Sequence, residues 1–106
     1  MRRLTYLPLL AIAALLLGGC PRGKGNQDYS AARKAEALED YDTALVHYER
    51  ALRDDPTNAE YKLHAVRMRF EAGQRHVERG RQALQRGDVQ MALAEFQKAQ
   101  AIDPSS

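Results

Sequence analysis

At 106 residues the chain has room for one domain, and its wealth of Ala, Leu, Gln, Glu and Arg, with few Val, Ile or Thr and no Trp, favours helix over strand. We therefore expect an all-α chain of about four helices. The formal charge of +2 comes from Arg2 and Arg3 alone. Setting these two aside leaves 14 Lys and Arg against 14 Asp and Glu, a balance that points away from nucleic acid as a partner.

Residues 1–19 have the build of a secretory signal: Arg2 and Arg3, an apolar run from Leu4 to Leu17, then small residues. Those 14 apolar positions would span about 21 Å as a helix, short of the roughly 30 Å hydrocarbon core, so a permanent membrane span is not expected. Leu17-Gly18-Gly19-Cys20 resembles a bacterial lipobox. That resemblance implies cleavage before Cys20 and acylation of its thiol, which anchors the protein to a membrane. Cys20 is the sole cysteine, so no intramolecular disulfide competes for it. Pro21 stands where lipoproteins retained at the inner membrane carry Asp. The resemblance thus implies an outer-membrane lipoprotein facing the periplasm. From the acylated Cys20, residues 20–27 read as a tether of Pro, Gly, charged and amide residues.

Residues 28–106 read as the helical domain. Asp28 or Ser30 is placed to cap a first helix with Tyr29, Ala32, Ala35 and Leu38 along it. Asp40 caps a second, which carries Tyr41, Ala44, Leu45, Tyr48, Ala51 and Leu52 on one face and is stopped by Pro56. Thr57-x-x-Glu60 offers a capping box for a third helix over residues 57–86. Its most continuous apolar stripe is Leu63, Val66, Phe70, Gly73, Val77, Gly80 and Leu84. A second stripe, Tyr61, Ala65, Met68 and Ala72, fades after residue 72, so the first half of the helix should be the more deeply packed. Seven basic and three acidic side chains lie on this segment. Gly87-Asp88 ends it and caps a last helix over residues 88–103.

Ala44-x3-Tyr48-x2-Ala51-x4-Pro56 recurs as Ala92-x3-Phe96-x2-Ala99-x4-Pro104, and both copies resemble the second half of a tetratricopeptide repeat. Gly80 falls where that family has a small residue in its first helix. The resemblance implies helical hairpins, with repeat one at 28–56, and a protein-binding role. The copies are 48 residues apart, against a family period of about 34, so the third helix of about 30 residues is read as an extended first helix of repeat two. Tyr29, Arg33 and Glu36, with Gln74, Val77 and Arg81, fall on the expected concave side and do not match the lysine and asparagine pattern of the chaperone-tail-binding members.

From about Tyr29 the chain is also similar to the periplasmic N-terminal region of secretin-type outer-membrane proteins of type II secretion and type IV pilus systems. The matching residues are Arg69-Phe70, His76-Val77-x-x-Gly80, Gly87, the run Ala92 to Ala99 and Ile102-Asp103-Pro104-Ser105. The resemblance implies an interaction scaffold in assembly of such a complex. The alternative is a general envelope repeat lipoprotein acting on outer-membrane protein assembly or cell-wall enzymes. Leu63, Val66, Phe70, Val77 and Arg81 are the expected partner surface. Two repeats are few for a free-standing solenoid, so we expect the last helix to be covered by a protein partner or a second copy, unless the reading frame is truncated.

No catalytic residue, cofactor or metal site is expected. His47, His64 and His76 are not four residues apart and have no cysteine companion, and His76 reads as a packing or polar-network histidine. The paired acids at Glu39-Asp40-Asp42 and Asp54-Asp55 belong to helix ends.

Overall fold

A computed structural model describes residues 23–105, and these are all-helical, with no strand among them. Four helices follow in order: α1 (Asn26–Ala37), α2 (Tyr41–Asp54), α3 (Ala59–Gln85) and α4 (Val89–Ile102). Cys20, the signal segment and most of the tether lie outside the described residues.

Local chemistry sets each boundary. Asp40, Asn58 and Asp88 are the N-caps of α2, α3 and α4, and their side chains accept from the backbone N–H groups of Thr43, Tyr61 and Met91 at 3.2, 3.1 and 3.0 Å. Each satisfies an otherwise orphaned donor of the first turn. The Thr57–Glu60 capping box does not form. Asn58 takes the capping position, Glu60 accepts instead from the Tyr29 hydroxyl at 2.6 Å, and α3 is 27 residues long rather than 30. α1 also starts earlier than expected: Gly25 precedes its first turn at φ 74° and no side chain caps it. A Cβ on Gly25 would lie 2.7 Å from the Ala51 carbonyl oxygen, so this glycine belongs to the packed body and not to a free tether.

The ends of α1 and α3 are built alike. The Asp40 N–H donates to Ala35 O at 3.0 Å and the Asp88 N–H to Ala83 O at 2.9 Å, around Glu39 at φ 57° and Gly87 at φ 77°. This six-to-one closure with a left-handed residue is a Schellman ending. The connections to α2 and α4 are three residues each, which folds α1 on α2 and α3 on α4 as antiparallel hairpins. The 48-residue offset of the alanine and aromatic copies therefore holds for the turns before them as well.

α3 is the common support. Along its length Tyr61, Ala65, Met68, Ala72, His76, Gly80 and Ala83 are buried, a stripe at spacings of three and four. Its first half closes on Ala32 and Ala35 of α1 and Ala44, Leu45 and Tyr48 of α2, which form one core with Ala65 and Met68. Its second half receives α4, where Ala92 and Ala99 are buried and the Phe96 ring lies over Gly80. The larger members of the more continuous stripe do not pack on the neighbouring helices: Leu63, Val66 and Phe70 are exposed (68%, 54% and 54%), as is Leu84, while Gly73 and Gly80 of that stripe are buried. The physical reason is the partner surface. Helices lined with alanine can come close to an alanine-rich stripe and bury its backbone as well as its side chains, which a Leu, Val and Phe stripe would hold apart.

Two outcomes test this packing. Ala44 and Ala92 are fully buried, so Ala44→Leu and Ala92→Leu should each lower unfolding free energy by about 1–3 kcal/mol through overpacking; unaltered urea midpoints would contradict the close approach. At Gly80 a Cβ would lie 2.5 Å from the Phe96 ring. Gly80→Ala should therefore destabilise despite a helix-propensity gain of about 1 kcal/mol. Phe96→Leu in the same chain should recover part of that loss, read as a coupling energy in a double-mutant cycle.

Candidate functional site

The stripe on α3 contains one imidazole, that of His76, 4% exposed and in the second half of the element. Its Nδ1 lies 2.6 Å from Glu95 Oε2 on α4, and its Nε2 lies 3.0 and 3.1 Å from the carboxylate oxygens of Asp42 in the first turn of α2. Ionised carboxylates only accept, so the arrangement is complete when both ring nitrogens carry protons. Hydrogen bonding to His76 is the foremost cause holding the Glu95 carboxyl below the usual range, with Lys98 at 3.4 Å adding to it. The His76 ring thus ties α2 and α4, which share no turn, to one turn of α3. The two carboxylates approach different ring nitrogens and do not converge on a point. Among the described residues no cluster of His, Cys, Asp or Glu is arranged to hold a metal ion.

A second polar group lies toward the start of α3. Tyr48 is fully buried, its ring stacked 4.8 Å from that of His64, and its hydroxyl donates to Glu36. Burial, then that hydrogen bond, drives the Tyr48 hydroxyl well above the ordinary tyrosine range, so it is a neutral donor. Tyr29 stacks on Tyr61 with ring centres 5.1 Å apart; its hydroxyl is pushed up chiefly by the bond to Glu60. The Tyr61 hydroxyl donates to the Lys24 carbonyl at 3.0 Å, which pins the entering chain beside the first turn of α3. Every buried side-chain nitrogen or oxygen among the described residues is paired.

Polar clefts lie at the α1–α2 turn and at the start of α1, and one open groove is largely apolar. A groove of about 350 Å³ runs between α2 and α4, lined by Leu45, Val46, Ala101 and Ile102, with His76 and Asp42 on its floor and Lys98 at its edge. The 48-residue offset exposes a further asymmetry. Leu45 of α2 is buried and its counterpart Leu93 of α4 is 57% exposed; Tyr41 is half-buried and its counterpart Val89 is 66% exposed. α3 covers the first of each pair, and no element among the described residues covers the second.

Of the expected site residues, Ala44, Tyr48 and Ala51, and then Ala92 and Ala99, are buried, Phe96 is half-buried against Gly80, and Pro56 and Pro104 are exposed turn residues. Leu63, Val66, Phe70 and Arg81 share the outer side of α3, while Val77 is half-buried. Sequence reasoning missed the carboxylates that meet His76. The available signal was that His76 stands four residues after Ala72 and four before Gly80, inside the small-residue stripe. No protein family, curated protein or solved structure matches this chain, and no helix of the described residues is long and apolar enough to cross a membrane.

The Glu95 contact gives a pH prediction. A carboxyl whose folded value lies below its unfolded value of about 4.3 contributes stability above that pH and loses it as the pH falls through the folded value. Glu95→Gln should therefore cost about 1–3 kcal/mol at pH 7. The gap to the unmodified protein should narrow between about pH 5 and pH 3, measured by urea unfolding at each pH.

Proposed function

We propose that this chain is a lipid-anchored, tetratricopeptide-like interaction scaffold of the bacterial envelope, facing the periplasm at the outer membrane and serving assembly of a secretin-type secretion or pilus complex. It acts by binding protein and not by catalysis. The observation that carries the reading is the uncovered face of α4. Val89 and Leu93 stand where their counterparts on α2 receive the first half of α3, so the face is already shaped for a helix with a small-residue stripe. The paired Gly80–Phe96 and His76–Glu95 contacts support the same reading, since they give the second hairpin the close approach that repeat helices need. The secretin assignment draws its support from the sequence alone. Among the residues behind it, Arg69, His76, Gly80, Glu95 and Phe96 join α3 to its neighbours, whereas Phe70 and Leu93 are exposed.

Capture from detergent-solubilised envelopes with the full lipoprotein as bait tests this. Secretin components should be enriched, and Leu93→Glu should reduce their recovery about tenfold or more without lowering stability by more than about 0.5 kcal/mol, because the position is exposed. Enrichment of cell-wall synthases or outer-membrane assembly factors in their place contradicts the secretin assignment. Metabolic labelling with a palmitate analogue tests the anchor, which fails if Cys20→Ala protein still takes up label.

A further inference from the structure

The outer side of α3 is a second apolar surface, distinct from the α4 face. At 3.6 residues per turn, Leu63, Val66 and Phe70 lie opposite Tyr61, Ala65, Met68 and Ala72, and all three are more than half exposed. Lys62 and Arg67 edge this patch and Arg81 continues its line, while the three carboxylates of α3, Glu60, Glu71 and Glu78, fall together along one flank, where Glu60 is engaged by Tyr29. Arg67 is held only loosely, 3.8 Å from Glu36. An apolar strip with Lys62 on one edge and Arg67 on the other, on a helix with seven basic and three acidic side chains over residues 57–86, is complementary to an anionic lipid surface, into which such a helix face settles at headgroup depth.

The chain outside the described residues fixes where that surface is. Lys24 is pinned to Tyr61, and Cys20 is four residues before it. Four residues reach no more than about 14 Å, against a helix diameter of about 10–12 Å. An acyl group on Cys20 would therefore keep Lys24, and with it the first turn of α3, within about 14 Å of the bilayer.

We propose that Leu63, Val66 and Phe70, with Lys62 and Arg67, dock on the anionic membrane surface beside the anchor, lay α3 along the bilayer and leave the α4 face free for protein. This rests on the lipid-anchor reading, and the test separates the two.

The sequence has no tryptophan, so Phe70→Trp introduces a single probe and Val46→Trp, on the groove between α2 and α4, a control. Each full lipoprotein is reconstituted into vesicles of phosphatidylethanolamine and phosphatidylglycerol with brominated acyl chains, and acylation of Cys20 is read by mass. Docking requires roughly twofold or greater quenching in Phe70→Trp and little in Val46→Trp. Adding Lys62→Glu and Arg81→Glu should then relieve the quenching. Acylated protein whose Phe70→Trp emission is unquenched overturns docking and leaves the anchor standing. A blue shift without quenching that grows with protein density assigns the face to a second copy and also overturns it. Absence of acylation overturns the anchor, and docking with it.

Discussion

His76 is the point on which the two halves of this molecule meet. α2 and α4 have no turn in common; each is held by α3. At His76 polar side chains from both reach the same residue, Asp42 from one side and Glu95 from the other, and Ile102 of α4 packs on the core that α2 shares with α3. A histidine this deeply buried is unfavourable without partners. With a carboxylate at each nitrogen it becomes a directional link, satisfied in one relative placement of the hairpins. The apolar contacts around it tolerate sliding by comparison, since alanine stripes are smooth.

The rest of the packing follows from small residues at repeated places. Ala32, Ala44, Gly80 and Ala92 let helices approach until backbones are nearly in contact, and an aromatic fills the space beside each pair: Tyr48 in the first hairpin, Phe96 in the second. The two hairpins differ in what covers them. The first has α3 on its far side and forms a closed core. Among the described residues the second has α3 on one side only, and Val89 and Leu93 are exposed on the outer face of α4. Together with the outer side of α3, this makes two separate surfaces, one edged by cations and one nearly uncharged.

Much of this was legible in the sequence because it is local. Asp40 and Asp88 cap where a polar residue precedes an apolar helix face, and Pro56 follows a helix that has ended. The buried alanine and aromatic positions of α2 and α4 could be read from spacing alone. The face of α3 could not. Its larger side chains, Leu63, Val66 and Phe70, make the more continuous hydrophobic pattern, yet the neighbouring helices accept the smaller one. The smaller stripe reads as fading after Ala72 because its next member is polar, and the carboxylates that make His76 acceptable lie 34 and 19 residues away. The start of α3 was missed for a related reason: Glu60, a fitting capping-box residue, is drawn off by Tyr29 from another helix.

If His76 joins the hairpins into one unit, they should open together. Native-state hydrogen exchange resolves this residue by residue, since amides that open in a shared event converge on one free energy. The expected result is a common opening free energy for the best-protected amides of α2 and α4, separating into two values in His76→Leu. A lower free energy for α4 than for α2 in the unmodified protein would mean that the second hairpin opens alone, and that the histidine does not link them.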